Sequence, residues 1–274
     1  LFEKDSRLGG HTRTICINED NKIKIDTGFI VFNKKNYPDL IKFFDILKIK
    51  YENSDMSFAV SDSFSNVEYS GKNILTLINN FKNAFSYKHI KMIFEIYKLY
   101  KLCRTINTKK QKNISITQFL DQNNFSDYLR KYHIYPIISS IWSSNKNDVK
   151  NFPLISFINF FKNHGLFNIK TRPQWKYILG GSKKYIDKII NLKLFKYHTN
   201  FSISHIEREN DKVIIFDKNN YEYQFDKVVF ATHADQALSL ISNPTKDEIN
   251  ILSKFKYSKN IAYLHSDEKL MPNK

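Results

Sequence analysis

The first residues of the chain combine side chains that could hold a dinucleotide. Glu3 follows two apolar residues, and a carboxylate at the end of a strand can accept hydrogen bonds from both hydroxyls of a ribose. Gly9 and Gly10 lie just beyond Arg7; without Cβ atoms they let backbone amides approach phosphate or carbonyl oxygens closely. Because Arg7 adds a fixed positive charge, the stretch predicts a dinucleotide site. An ordinary Gly-Gly turn after an edge strand is the alternative.

Other reactive side chains are scattered along the chain. The candidate ligands for a metal site are His164, His198, His205, His233 and Asp235. No pair among them has the i, i+4 spacing of a zinc-binding helix. The two cysteines, Cys16 and Cys103, lack the local context of a catalytic thiol and can form at most one disulfide. We therefore expect no metal site and packing roles for both cysteines.

Hydrophobic periodicity predicts the elements that must position these residues. Strand patterns cover 23–33, interrupted at Gly28, a hairpin over 57–69, a strand over 176–179, and a meander at 201–207, 212–216 and 221–225. The apolar run 227–231 is typical of a parallel strand buried on both faces. Helical spacing covers 37–47, 75–85, 87–106, 116–123, 125–138 and 184–194. Ser115 is a candidate N-cap.

Strands at both ends bracket an aromatic, helix-rich middle. This order predicts one α/β domain interrupted by a second, inserted domain. We assign residues 1–52 and 171–235 to the interrupted domain. Residues 53–170, a hairpin followed by helices, and residues 236–274 are assigned to the inserted one.

The composition excludes a largely disordered chain and a secreted disulfide scaffold. With 42% hydrophobic residues the chain can bury a core, and two cysteines favour a reducing compartment. The net charge of +16 suggests an anionic partner, but only six of the 43 basic residues are arginine, whose planar fork nucleic-acid readers favour. No window approaches the roughly 20 apolar residues of a membrane-spanning helix. We expect a cytoplasmic protein without a nucleic-acid partner, with peripheral membrane contact left open.

The full spacing Glu-x3-Arg-x-Gly-Gly-x-Thr at residues 3–12 resembles the second fingerprint of the flavin-dependent amine oxidase superfamily, which includes phytoene desaturases and protoporphyrinogen oxidases. Further blocks resemble its bacterial subset of predicted NAD/FAD-binding, amine-oxidase-like proteins. These blocks are 10–12, 25–33, 141–143, 163–166, 172–175, 180–182, 231–238 and 270–272. The resemblance implies a doubly wound, Rossmann-like FAD-binding domain interrupted by a helix-rich α+β substrate domain.

The resemblance also implies which residues contact FAD. Glu3 would hold the adenosine ribose. The Gly-Gly loop (residues 9–11), with Arg7 and Thr12 on either side, would line the diphosphate and the approach to the flavin. Ile203 would contact adenine through backbone groups, and Gly28 would allow a close approach to the flavin. The implied cofactor-binding residues are Glu3, Arg7, Gly9, Gly10, His11, Thr12, Gly28, Ile203, Ala231 and Thr232.

Two segments of the family pattern are missing from these residues. None of the seven glycines forms the Gly-x-Gly-x-x-Gly loop of the family's first strand, which we expect upstream of Leu1. We expect the segment that closes over the flavin after Lys274. The resemblance therefore implies an internal fragment of a longer flavoprotein, which by itself binds FAD weakly or not at all and is inactive.

The implied activity is that of an FAD-dependent oxidoreductase that takes hydride from a C–H bond of an amine or apolar substrate onto flavin N5. The aromatic middle favours an apolar, lipid-like small molecule. Candidate pocket residues are Trp142, His164, Arg172 and Trp175, with Phe160, Phe161 and Tyr177 beside them. Phe160 and Phe161 are more typical of a core. Three alternatives remain: a flavin-dependent desaturase or isomerase of fatty acyl lipids, a basic module that binds membranes or nucleic acid, and a cofactor-free structural relative of the family.

Overall fold

The computed structural model shows a mixed helix and strand protein. The structure describes residues 1–17, 23–71, 74–78, 85–109, 113–143, 146–168, 172–209, 211–257 and 259–271. The strands are β1 (Thr14–Ile17), β2 (Ile23–Asp26), β3 (Phe32–Asn33), β4 (Tyr51–Ser54), β5 (Ala59–Asp62), β6 (Val67–Ser70), β7 (Trp175–Ile178), β8 (Ile203–Glu209), β9 (Lys212–Asp217) and β10 (Glu222–Phe225). The helices are α1 (Pro38–Ile46), α2 (Ile74–Leu77), α3 (Tyr87–Thr105), α4 (Ile116–Gln122), α5 (Asp127–Leu129), α6 (Tyr135–Trp142), α7 (Lys146–Lys150), α8 (Leu154–Asn163), α9 (Lys183–Asn191), α10 (Ala234–Leu240) and α11 (Lys246–Leu252). A π-helix (Arg130–Ile134) joins α5 to α6, and a 3₁₀ turn covers Glu268–Leu270.

The chain divides into two compact units. The first unit consists of Leu1–Ile30, Phe44–Lys50 and Ile178–Lys259. The second unit consists of Val31–Phe43, Tyr51–Tyr177 and Asn260–Lys274. Both units are therefore discontinuous in sequence. The predicted domain assignment, with its boundaries at 52, 170 and 235, stays a prediction.

Antiparallel strands form the framework of the first unit. β1 pairs with β2, with Thr14 opposite Asp26, and the meander has the spatial order β10-β9-β8. The side chains of Ile206 and Ile215 are buried where β8 faces β9. The meander predicted from alternating apolar residues is therefore confirmed. Parallel pairing in the described residues of this unit is limited to isolated bridges, Phe2 with His198 and Ile206 with Ile241.

The second unit has a continuous apolar core. The hairpin of β5 and β6 is confirmed and buries Val60, Val67 and Tyr69. Helices α3, α4, α6 and α8 contribute most of the remaining buried side chains. Phe161 of α8 belongs to this core, as its alternative interpretation predicted. α4 begins with the predicted cap, since the hydroxyl of Ser115 accepts from the backbone N–H of Gln118 and the two residues form a capping box.

A buried hydrogen-bond network crosses the core of the second unit at the π-helix. The hydroxyl of Tyr69 donates to the carbonyl of Tyr132 at 2.7 Å and lies 2.9 Å from Nδ1 of His133. The hydroxyl of Tyr100 lies 2.9 Å from Nε2 of the same ring. A neutral His133 satisfies both contacts, with Nδ1–H donating to Tyr69 and Nε2 accepting from Tyr100. Burial lowers the pKa of His133 to about 3 and raises the pKa of both tyrosines.

The prediction of a buried parallel strand over 227–231 is wrong. These residues belong to none of the strands that the structure describes, and the side chain of Val229 is 90% exposed. An apolar run becomes a central strand only where neighbouring strands supply hydrogen bonds on both sides. No described strand lies there. Of the helix predicted over 75–85, Ile74–Leu77 is helical, and 79–84 lies outside the described residues.

Candidate functional site

The Gly-Gly loop of the first unit is held by its own backbone and by Arg7. Gly9 and Gly10 have φ values of +111° and +52°, which favour glycine. The N–H of Thr12 donates to the carbonyl of Gly9 at 2.8 Å. Nη2 of Arg7 donates to the carbonyl of Gly10 at 2.7 Å, and Nη1 donates to that of Thr12 at 3.3 Å. The guanidinium therefore braces the loop and keeps a positive charge beside it.

The loop is packed on one side and open on the other. A Cβ atom at Gly9 would lie 3.1 Å from the carbonyl oxygen of Thr12 and 3.2 Å from a side-chain carbon of Ile186. A Cβ atom at Gly10 would meet no atom of the described residues within 4 Å. Thr12 itself is buried, and its hydroxyl forms a short hydrogen bond with the hydroxyl of Tyr185. Gly10 thus presents bare backbone to open space while its neighbours are fixed.

Gly28 approaches the backbone of this same loop. The N–H of Phe29 donates to the carbonyl of His11 at 2.9 Å. A Cβ atom at Gly28 would lie 3.0 Å from the carbonyl carbon of His11 and closer still to its oxygen. The close approach expected of Gly28 is therefore made, in this structure, to the Gly-Gly loop.

Glu3 lies beside the segment that leads into β8. Its backbone N–H donates to the carbonyl of His198 at 2.9 Å, and its carbonyl accepts from Phe201 at 2.9 Å. One carboxylate oxygen accepts from the N–H of Asp5 at 2.9 Å. In the described part of the chain, no group donates to the other oxygen. Ile203, at the start of β8, is half-buried and follows this segment by two residues.

The segment after the exposed run 227–231 meets the Gly-Gly loop. Ala231 and Thr232 are exposed, and the next residue, His233, places its ring 6.0 Å from that of His11. The ring of Tyr257 stacks on His233 at 4.1 Å, and its hydroxyl accepts from the N–H of Ala234 at 3.0 Å. The structure therefore brings two of the predicted cofactor-binding segments together.

Sequence reasoning missed the carboxylate that ties β1 and β2 to the start of α9. Asp26 accepts from the hydroxyl of Thr14 at 2.6 Å and from the N–H and hydroxyl of Ser182 at 2.9 and 2.8 Å. Thr14 accepts in turn from the N–H of Lys183 at 2.9 Å. Two N–H groups at the beginning of α9 are therefore satisfied by β1 and β2. Ser182 after two glycines and Asp26 before Gly28 were visible, but their pairing was not.

The predicted substrate residues of the second unit form a row of aromatic rings. The ring of Trp142 lies 4.8 Å from that of Phe160, which stacks on His164 at 4.0 Å. His164 in turn lies parallel to Trp175 at 6.0 Å, with an angle of 4° between the planes. The structure thus brings together three of the four predicted residues.

The remaining predicted residues of this unit have separate roles. Arg172 is exposed, and its guanidinium donates to the backbone carbonyls of Asn168 and Gly71, both at 3.1 Å. The hydroxyl of Tyr177 donates to Glu52 at 2.8 Å. Arg172 therefore braces two backbone segments, which sequence reasoning did not anticipate.

An open cavity of about 670 Å³ lies beside His164 of this row. Its wall consists of Lys35, Asn36, Tyr37, Pro38, Lys162, Asn163 and His164. Nδ1 of His164 is 3.0 Å from the carbonyl of Phe160, which fixes the ring at the end of α8. The ammonium of Lys162 donates to the carbonyl of Ile106 at 2.8 Å. Two lysines make the wall positive.

No three His, Cys, Asp or Glu side chains are grouped as metal ligands in the ranges that the structure describes. The expectation of a protein without a metal site stays a prediction. None of the described helices has the length and apolar character needed to cross a bilayer.

No family model matches the chain, and no curated protein sequence matches it. Several solved structures do match the chain. Cyclohexylamine oxidase from Brevibacterium oxydans IH-35A matches with a TM-score of 0.68 and 14% identity, over 92% of this chain and 56% of its own. Wild-type putrescine oxidase bound to putrescine matches with a TM-score of 0.67 and 14% identity, over 92% and 57%. The chain shares the fold of these two oxidases over the matched residues.

The same fold includes an enzyme named for another reaction. A CLA-producing fatty acid isomerase from P. acnes matches with a TM-score of 0.62 and 15% identity, over 92% of this chain and 57% of its own. The chain therefore spans little more than half the length of these solved structures. At such identities the likeness establishes the fold, and the mixed helix and strand architecture predicted from the sequence is confirmed to that extent.

Proposed function

We propose that the protein is an FAD-dependent oxidoreductase. In this proposal the first unit belongs to a doubly wound, Rossmann-like FAD-binding domain, and the second unit to the substrate domain that interrupts it. All ten predicted cofactor residues lie in the first unit and all four predicted substrate residues lie in the second. The observation that supports it most is the Gly-Gly loop, with open space over Gly10 and the charge of Arg7 beside it.

The residues of this loop fit a diphosphate. Backbone without side chains at Gly10 can approach an anion, and the braced guanidinium of Arg7 favours negative charge nearby. The second carboxylate oxygen of Glu3 can accept from the hydroxyls of the adenosine ribose. Ile203, Ala231 and Thr232 would contact the adenine and the diphosphate. When bound, the flavin supplies the hydride acceptor, so the protein's own residues bind, orient and exclude water.

Comparison of FAD with FMN tests the role of Glu3. Expressed from its complete gene, the protein is expected to purify with FAD and to rebind it after removal. Because FMN lacks the adenosine, Glu3→Ala should weaken FAD binding by about tenfold, the loss of roughly one charge-assisted hydrogen bond, and leave FMN affinity unchanged. Quenching of flavin fluorescence measures both. Glu222→Ala, an exposed carboxylate of the same unit, is the matched control.

Three results would contradict the proposal. Protein that neither purifies with flavin nor binds it would favour a cofactor-free relative of the fold. If Glu3→Ala weakened the binding of FAD and of FMN equally, Glu3 would not contact the adenosine. Salt-sensitive binding to DNA or anionic vesicles by a flavin-free protein would favour the basic binding module.

The cavity of the second unit favours a second candidate, a flavin-dependent desaturase or isomerase of fatty acyl lipids. Lys35 and Lys162 would repel the ammonium group of an amine and attract a carboxylate. The aromatic row of Trp142, Phe160, His164 and Trp175 offers an apolar wall beside them. A fatty acid fits both the lysines, through its carboxylate, and the aromatic wall, through its chain. A cationic amine fits only the aromatic wall.

Substrate turnover separates the two candidates. Anaerobic bleaching of the flavin, and product analysis, are measured with amines, unsaturated fatty acids and their methyl esters. If the cavity holds a carboxylate, Lys35→Gln/Lys162→Gln should raise KM for the free acid about tenfold, with little change for the ester. Lys150→Gln, on an exposed part of the same unit, is the control. Turnover of amines alone, unaffected by the double substitution, would exclude the acyl candidate.

A further inference from the structure

Helix α3 of the second unit has an exposed face that its own fold does not explain. Tyr87, Ile90, Phe94, Tyr97 and Lys101 follow one another at spacings of three, four, three and four residues, so they share one side of the helix. Tyr87 is 78% exposed and Phe94 is 70% exposed. Four large apolar or aromatic side chains therefore form one strip in solvent, which is unusual for an isolated soluble surface.

The opposite side of α3 already fills the core. Met92, Leu99 and Cys103 are fully buried, as is His89. The one carboxylate of the helix, Glu95, also points inward, where it accepts from the N–H and hydroxyl of Ser126. Packing within the unit therefore uses the inner side and leaves the outer strip uncovered.

The charges around the strip are positive. α3 carries Lys88, Lys91, Lys98, Lys101 and Arg104, all exposed. Its single acid, Glu95, is buried. On the neighbouring helix α5, Asp127 forms an ion pair with Arg130. The outer side of α3 thus combines aromatic rings with ammonium groups, and the only carboxylate of the helix, that of Glu95, is 8% exposed and bonded to Ser126.

We propose that this outer side of α3 is a docking surface for an anionic membrane. Tyrosine and phenylalanine rings favour the boundary between headgroups and acyl chains, where an amphipathic helix lies in the plane of the bilayer. Lysine stems extend along such a surface while their ammonium groups reach anionic headgroups. Helix α3, with 19 residues, is about 28 Å long by its rise per residue, enough for five turns of contact.

Nucleic acid fits the same charges less well. Phosphate backbones attract ammonium groups, but a duplex offers no apolar layer for the side chains of Ile90 and Phe94. A bilayer offers partners to both, because its anionic headgroups attract the lysines and the acyl chains beneath them accommodate the aromatic strip. This surface is independent of the proposed flavin chemistry.

Vesicle binding tests the proposal. The purified protein is mixed with vesicles of phosphatidylcholine alone or with about 30% phosphatidylserine, and the bound fraction is measured by flotation. We expect binding to the anionic vesicles that weakens as salt is added. Phe94→Ser/Tyr97→Ser should lower the partition coefficient at least tenfold, and Lys91→Glu/Lys101→Glu should do the same.

Matched substitutions elsewhere provide the controls. Phe64→Ser/Tyr221→Ser removes two aromatic rings that are at least as exposed, and Lys188→Glu/Lys246→Glu makes the same change in charge on the first unit. Both should bind like the unsubstituted protein, and circular dichroism should show that all variants keep their fold. Equal binding to neutral vesicles, no vesicle binding, or equal loss in the controls would overturn the proposal. DNA binding that only the α3 variants lose, without vesicle binding, would assign the surface to nucleic acid instead.

Discussion

Gly28→Ala is expected to lower the free energy of unfolding by about 3 kcal/mol. The new Cβ atom would lie 3.0 Å from the carbonyl carbon of His11 and still closer to its oxygen. Because both sides of this contact are backbone, either the segment around residue 28 or the one around His11 must move. The hydrogen bond from the N–H of Phe29 to the carbonyl of His11 is then the first to be lost. Urea unfolding followed by circular dichroism measures the change. The displaced carbonyl belongs to the Gly-Gly loop, so flavin affinity should fall as well.

Gly71→Ala is the matched control for this prediction. Among the described residues, a Cβ atom there would meet only the carbonyl oxygen of Phe58, at 3.4 Å, which is an ordinary contact. We expect a change within about 1 kcal/mol in either direction. If Gly28→Ala were as stable as Gly71→Ala, the close packing of residue 28 on the loop would be disproved.

Acidification is expected to weaken the protein through His133. Its pKa in the folded protein is lowered to about 3, chiefly by burial and further by the charge of Arg172, whereas in the unfolded chain it is about 6.5. Between these values the unfolded chain binds a proton that the folded protein does not. The stabilising contribution is therefore complete above about pH 6.5 and is lost as pH falls, by up to about 1.4 kcal/mol per pH unit.

His133→Gln isolates this effect. An amide can keep a donor for Tyr69 and an acceptor for Tyr100 but does not titrate. The free energy of unfolding, measured from pH 7 to pH 4, should therefore fall less steeply in this variant than in the unsubstituted protein. His265→Gln, at an exposed histidine, should keep the original slope. Parallel slopes in all three proteins would rule out a neutral, buried His133.

Local patterns in the sequence predicted the parts of the fold that depend on neighbouring residues. The cap at Ser115 involves a partner only three residues away. The meander β8-β9-β10 follows from alternation within short strands. The Gly-Gly loop is likewise closed by Arg7 and Thr12, which are adjacent to it in sequence. In each case the interacting groups lie within one short segment, so spacing alone was informative.

Long-range pairs were not predictable in this way. The carboxylate of Asp26 accepts from Ser182, 156 residues away. The ring of His11 meets that of His233, which the sequence offered as a candidate metal ligand and as part of the block 231–238, not as a partner of His11. Nothing in either residue type specifies its partner, because both contacts depend on how the strands bring distant loops together. The error at 227–231 has the same origin, since a central strand is defined by its neighbours.

The exposed run at 227–231 also affects how the protein behaves in solution. A segment that carries two neighbouring valines and lies outside every described strand can pair with the same segment of another copy. Mutual repulsion between molecules of charge +16 opposes such pairing, and dissolved salt screens that repulsion. Colloidal stability is therefore governed by ionic strength: dilute buffer keeps the molecules apart, and concentrated salt allows Val229 and Phe230 to bring them together.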